Sequence, residues 1–502
     1  SDAININASI KEKNIDLDLL AENLDINTLL NSEALPHQLT FSINAKSQLT
    51  DSLYFPKSME LIVHKALNHE LYDLKDIKVR TKVNGRLYNC QIESKNPELD
   101  FHVGASCWIH NKTISNINFN SKVKHIEFKK IGIKDTIFDG VWKGNLSFHI
   151  PRMSSNQLKI ELESDSISVM RSSQSFNIDK CNASLSYIKN KPSHFTLKSD
   201  VLSIDCEGSV DFMTIADAWK MTVTKHIPAI EGMLFTKNSR KEDETSMSFF
   251  IDIHDGNFLK KICLLPIELG DGTTIKGKLF KDKSWAEIVA QTKKINYKGT
   301  NFENVSIHTN SKELGAGFLV QGKKQLLNDN VQFVVGAQLH DNLLETNIEW
   351  EGLEFHKVKG NLNTITSFKS PTNIVSSVMP TTFVIGDTIW NISNGEISLQ
   401  NNKHYIKGLT LNTSQQKITI DGNLSSDQQD QLHLKLDNLN IGYILNNIKF
   451  NSVLFDGDVS GDTYISLSPN VPLLQTNLRV KSFLFNNALV YKATTTEYTT
   501  FT

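Results

Sequence analysis

The stretch KITIDGNLSSDQQDQLHLKLDNLNIGYILNNI, residues 417–448, decides the fold. Ile418 and Ile420 alternate with Lys417, Thr419 and Asp421, and Leu432, Leu434 and Leu436 alternate with His433, Lys435 and Asp437. A period of two sends successive side chains to opposite faces of a strand. Each segment therefore has one apolar face and one polar face. What covers the apolar face is the physical question, because the pattern recurs along most of the chain.

It recurs in HQLTFSINAKS (Leu39, Phe41, Ile43), in KVKHIEFKKIGI (Val123, Ile126, Phe128, Ile131) and in QLKIELESDSISVM (Leu158, Ile160, Leu162). Between such runs stand Asp-Gly pairs at 139, 255, 271, 421 and 456 and Asn-Gly pairs at 84 and 394. These dipeptides favour tight hairpins. A turn signal every ~8–12 residues predicts on the order of 40 short strands. Two faint repeats follow. In one, a strand ends in a small-residue turn, as in LSIDCEGSVDF from 202, KITIDGNLSSD from 417 and LDFHVGASCWI from 99. In the other, a strand runs into a short helical turn, as in ENLDINTLLN, IDIHDGNFLKKI and DNLNIGYILNN, where Leu29–Leu30, Phe258–Leu259 and Ile444–Leu445 follow an Asn- or Asp-containing turn. The Thr-rich end, 491–502, breaks the alternation and is expected to be a disordered or truncated tail.

Composition excludes several classes. The 502 residues carry a formal net charge of -2, which argues against nucleic acid as a partner. No apolar run reaches the ~18 residues of a membrane helix. The first residues lack a signal-peptide pattern and open directly into alternation (Ile4, Ile6, Ala8, Ile10), as expected of a piece of a longer chain. The five cysteines (Cys90, Cys107, Cys181, Cys206, Cys263) form no C-x-x-C pair and read as free, strand-buried thiols. His64 and His69 stand at the wrong spacing for two ligands on one helical turn and read as solvated strand residues. No nucleophile elbow, zinc-protease motif or phosphate loop occurs, so no catalytic residue, metal or cofactor is assigned. Eight N-x-[ST] matches (Asn7, Asn111, Asn145, Asn182, Asn304, Asn391, Asn412, Asn423) follow from an Asn-rich composition.

Three architectures cover an apolar strand face: tandem sandwiches, a solenoid with its own core, or a sheet bent across its width into an open trough. Sandwiches predict Pro/Gly-rich linkers every ~100 residues, and a β-helix predicts an even short repeat. Only 11 prolines and no such period are present. The expected fold is therefore all-β: an elongated, repetitive sheet bent into an open trough, a β-taco or β-groove, with a few short helical turns. Between 25 and 40 strands stacked at ~4.8 Å would extend roughly 120–190 Å. An apolar lining of that length suits acyl chains, each buried CH₂ being worth ~0.8 kcal/mol.

Residues 381–445 resemble the repeat region of TamB proteins of the AsmA-like superfamily, in the form found in Bacteroidetes. The resemblance lies in Asp387–Trp390, Ile406–Leu411, Ile418–Ser425 and Leu432–Ile441, in that order. Residues 455–490 resemble the family's G-x-x-x-G plus P-L-L-x-x-x-L segment. INYKGTNFENVSIHTN and ENLDINTLLN fit similar units upstream, so the resemblance is best over 251–490 and looser over 1–250. It implies a periplasmic β-groove bridging the inner and outer membranes of a diderm bacterium. The implied roles are phospholipid transport and outer-membrane protein assembly with a TamA-like β-barrel. It also implies an N-terminal membrane helix and a C-terminal barrel-docking region, both outside this sequence. The residues expected to line the groove are Val305, Ile307, Leu409, Leu411, Ile418, Ile420, Leu424, Leu432, Leu434 and Leu436. The competing expectations are that these residues pack only on one another, or that the chain is a secreted β-repeat adhesin or surface structural protein. A polysaccharide-active enzyme would need aromatic platforms, which six singly placed Trp residues do not supply.

Overall fold

The computed structural model describes all residues except 1–2, 33–34, 49–55, 111–112, 134–138, 155, 172, 209–212, 235–245, 281–284, 313–314, 327–328, 355–357, 387, 402, 426, 428, 444–454, 468–471, 486–487, 491–492 and 501–502. Ile444–Leu445, Asp387 and Asn111, singled out above, lie outside the described residues. The fold is all-β and repetitive, with 35 strands among the described residues. Helices are short: α1 (Ile26–Leu30), α2 (Met213–His226), α3 (Glu231–Leu234) and α4 (Gly256–Ile262).

The chain forms two compact units, residues 1–210 with 249–272 and residues 211–248 with 273–502. These units do not coincide with the division at 250/251 drawn from the family resemblance. The reason is that the helical segments pack across the sequence boundary. Phe258 and Ile262 of α4 pack on Val169 and Val201, earlier in the chain, while α2 packs against strands that begin at Thr273 or later.

Each unit is an antiparallel meander in which successive long strands pair. In the first unit the ladder runs in chain order from Ala3–Lys11 to Gln157–Arg171. Gln174–Ile178 and Cys181–Ile188 both lie along Gln157–Arg171, as one long strand bent at Asp179–Lys180. In the second unit the ladder runs from Thr273–Phe280 to Val358–Ser370. There Asn373–Val378 and Thr381–Ile385 again share one partner strand, with the bend at Met379–Pro380. Pro380 has no N–H to give the ladder. Residues Lys403–Asn412 to Ala493–Thr500 complete the unit. Ala493–Thr500 is a strand paired with Pro472–Phe485, not the tail its composition suggested. Thr is β-branched and suits a strand without needing apolar alternation.

The strands bend at a recurring device. Asn23, Asn116, Asn304, Gly408, Asn438 and Ser482 have positive φ, and each coincides with a register shift of one extra residue. An apolar residue follows each: Leu24, Ile117, Val305, Leu409, Leu439 and Phe483. A bulge of this kind sharpens twist and bends a strand. Asn tolerates the left-handed region better than most residues. Three bulge N–H groups are held by a side chain of the facing strand: Asn23 by Thr40 Oγ1 (3.1 Å), Gly408 by Asp421 Oδ1 (2.6 Å) and Asn438 by Ser460 Oγ (2.8 Å).

The Asp-Gly pairs divide accordingly. Gly272 turns a loop between two strands, but Gly422 and Gly457 sit inside strands Lys417–Leu424 and Phe455–Leu467 at positive φ. Two pairs read as hairpins are therefore bends. Gly104 likewise lies inside Leu99–His110, not at a turn.

Gly461 has φ +142, and a Cβ there would stand 2.1 Å from the Asn477 carbonyl oxygen. Gly408 has φ +66 and open space around it. Gly461→Ala is expected to cost about 2–4 kcal/mol and Gly408→Asn under about 1 kcal/mol. Urea unfolding followed by Trp fluorescence checks this, and equal effects would contradict the role given to these bends.

Candidate functional site: an apolar face in each unit

Antiparallel register decides which side chains share a face. In the first unit Ile6, Leu19, Ile43, Leu61, Val79, Ile92 and Val103 form one row across seven strands. A second row runs Phe119, Phe148, Leu162, Ala183, Leu197, Ile204, with Phe119 and Phe148 ring centroids 5.4 Å apart. The opposite face is polar: Asn7, Asp18, Asn44, Glu60 and Arg80 pair strand to strand, and Arg80 Nε donates to Glu60 at 2.7 Å.

The second unit is built the same way. Ala290, Ile307, Val320, Val335, Ile348 and Leu362 cross six strands in one row. Further along the same ladder, Leu411, Ile418 and Leu436 form one row and Leu409, Ile420 and Leu434 the next. Leu432 pairs with Ile465 and Ile465 with Leu474. Val305 and Leu424 fall on the same side by alternation. All ten residues expected to line a groove thus lie on one face of the second unit. Val305 is buried and the other nine are only half-buried. Sequence reasoning missed the residues that tie this face together. Gly360 pairs with Trp350 and Phe383, and Phe383 with Trp390. A Cβ at Gly360 would stand 2.6 Å from the Trp350 ring. Phe302, Phe333, Trp350, Phe383 and Trp390 make an aromatic margin, with Phe302–Phe333 edge-on at 5.8 Å and Phe383–Trp390 stacked at 6.5 Å.

Burial is one-sided. Ala286, Val305, Ala316, Val331, Phe383 and Trp390 of the apolar face are buried, while Glu287, Asn310, Gln321, Gln338, Glu345 and Glu349 of the other face are exposed. The apolar face is therefore the more sheltered of the two and is called the inner face, the polar one the outer face. The outer face carries an open depression of about 780 Å³, lined among others by His308, Asn310, Gln338, Glu345 and Asn347.

Helices close parts of the inner face. In the first unit Asp255 caps α4 by accepting the Phe258 N–H at 2.8 Å, and Phe258 and Ile262 join Val169 and Val201 in a buried cluster. Asp25 caps α1 in the same way through the Thr28 N–H (2.9 Å), and Asn440 accepts the Tyr443 N–H (2.6 Å) at the helical turn that follows it. The strand-to-helical-turn repeat is real at all three places, but its apolar pairs differ. Phe258 is buried, whereas Leu29 and Leu30 are 75% and 62% exposed. In the second unit α2, a 14-residue helix the strand-like pattern did not foretell, lies over strands Trp285–Tyr297 and Gly315–Leu326. The Asn342 N–H donates to the His226 carbonyl (2.8 Å), and Asn342 Oδ1 accepts the Ala229 N–H (3.0 Å).

Among the described residues no His/Cys/Asp/Glu group could hold a metal ion, and no helix is long and apolar enough to cross a membrane. His64 Nε2 bonds Ser42 Oγ (2.8 Å), and the His69 ring stacks on His37. All five cysteines are free thiols: Cys206 is buried and Cys90, Cys107 and Cys181 half-buried in strands, whereas Cys263 is exposed at the end of α4 and not strand-buried as expected. Burial pushes the pKa of the four strand thiols up, away from thiolate reactivity. No protein-family model matches the chain, and no curated protein matches it.

His226 is 5% exposed, and its Nε2 has no hydrogen-bond partner among the described residues. Burial lowers its pKa, Lys225 and His340 lower it further, and Asp341 opposes them. The neutral ring is thus the form that fits the packed helix end. Packing of α2 should be complete above the ordinary histidine value of about 6.5 and weaken as pH falls through the depressed one. Hydrogen exchange of residues 220–230, corrected for intrinsic rates, should be faster at pH 5 than at pH 8, and His226→Phe should remove the difference. An unchanged difference in that variant would rule out His226 as its source.

Proposed function

We propose that this chain is a section of a non-enzymatic lipid conduit of the kind its resemblance to TamB implies. Acyl chains lie along the inner apolar face, and head groups remain at its open margin in water. The observation that carries the reading is the apolar rows of each unit. They run strand after strand in register, yet most members stay half-exposed. A self-sufficient core buries such residues fully. A face that is sheltered but not filled suits a long flexible apolar ligand, at ~0.8 kcal/mol per CH₂ removed from water. Movement along it needs no reacting group, only a dry surface without interruptions. In this reading the protein works in the periplasm of a diderm bacterium between the inner and outer membranes. Phospholipid is the cargo, and a TamA-like barrel is the outer-membrane partner. Assistance to barrel assembly would draw on the same sheet.

A photo-crosslinking amino acid at Leu434, with Lys435 as control, tests this in a diderm host expressing the parent protein. Phospholipid should be captured at Leu434, on the inner face, and not at Lys435, on the outer one. Capture at neither, with Leu409 and Ile418 also silent, would mean that protein fills the face and would remove the conduit reading.

A further inference from the structure

Along one margin of the second unit, the inner face ends in aromatic rings that carry ammonium groups. Strands Trp285–Tyr297 and Thr300–Lys312 meet in a hairpin at that margin, and Gly315–Leu326 ends at the same side. Phe302 contacts Phe333, whose register partners Gly322 and Trp350 place it on the inner face. Lys324 pairs with the buried Val331, and its Nζ lies over the Phe302 ring, 5.7 Å from the centroid. In the hairpin turn itself Lys298 Nζ lies 5.5 Å from the centroid of Tyr297, which is 46% exposed. Neither ammonium has a carboxylate in ion-pair reach among the described residues, whereas Lys260, Lys359 and Lys403 each do. Glu303, the carboxylate in register with Lys323, is a partner to neither. The first unit repeats the arrangement where α4 meets its inner face, with Lys261 Nζ 5.7 Å from the Phe176 ring and Phe176 edge-on to Phe258.

We propose that Lys298 and Lys324 form a phosphate-binding margin that holds the phosphodiester head group of a lipid whose acyl chains lie on the inner apolar face. This rests on the conduit reading above. An ammonium over a ring at an exposed margin is only weakly held, so it can turn to an anion at little cost. Its carbon stem covers apolar surface while the charge stays at the rim. The neighbouring rings give the glycerol region a surface that is apolar on one side and wet on the other. A free phosphate would meet the same two cations but gain nothing from the apolar rows beside them.

The test compares two soluble short-chain probes with identical acyl chains, a phosphatidylglycerol and the uncharged diacylglycerol, titrated calorimetrically into the purified chain. The natural sequence should bind the phosphatidylglycerol about tenfold tighter. Lys298→Ala/Lys324→Ala should lose that preference while keeping its affinity for diacylglycerol, and a Lys293→Ala/Lys294→Ala control should keep both. Diacylglycerol binding without a phosphate preference, or a preference that survives the Lys298/Lys324 double change, overturns the head-group margin and leaves the conduit intact. Binding of neither probe overturns both. Inorganic phosphate titrated alone should show no comparable binding. If it competes as well as the lipid, the site takes free phosphate and the lipid assignment fails.

Discussion

The antiparallel register is the constraint on which everything else depends. Side chains have a period of two, so a slip of one residue between any two strands would move a whole apolar set to the wet face. Here apolar pairs with apolar across the strands of each unit: Leu19 with Ile43, Val320 with Val335, Ile420 with Leu434. Polar pairs with polar on the reverse side, as Asp18 with Asn44. The hydrogen-bonded ladder carries backbone satisfaction, so the inner side chains need not form a sealed core for the strands to pair.

A flat sheet with one apolar face would aggregate. The bulges break this flatness locally by bending and twisting the strands. Their chemistry is modest: one residue at positive φ, a facing Thr, Asp or Ser to take its N–H, and an apolar residue immediately after. Asn23-Leu24-Asp25 and Asn438-Leu439-Asn440 use the identical plan, bulge first and helix cap two residues later. That a bend and a helical turn recur together, more than 400 residues apart, marks them as parts of one repeating unit.

Much of this was legible in the sequence. Alternation is a direct readout of strand faces, so the all-β fold and the apolar side of each strand could be read from spacing alone, while the common face of Leu409, Ile418 and Leu434 follows from their register. The helix caps at Asp25, Asp255 and Asn440 were visible because Asp and Asn before an apolar run offer a side-chain acceptor. Other features were not legible, for stated reasons. Asp421-Gly422 and Asp456-Gly457 look like hairpin turns because the same positive φ serves a turn and an in-strand bend. Only the pairing partner separates the two. The helix α2 carries Thr222, Val223 and Thr224, β-branched residues that read as strand until packing overrides propensity. The aromatic margin depends on pairings between Trp350, Gly360, Phe383 and Trp390, which no local pattern reveals.

A lipid conduit requires that the inner apolar face be open to a lipid. A structure of the chain soaked with a phospholipid brominated on its acyl chains shows whether it is. Anomalous bromine peaks should fall beside the row of Leu409, Ile420 and Leu434 and the row of Ile307, Val320 and Val335, with none on the Asn310–Glu345 face. A well-ordered structure with no bromine there, and with the two walls of the sheet in side-chain contact, would contradict it.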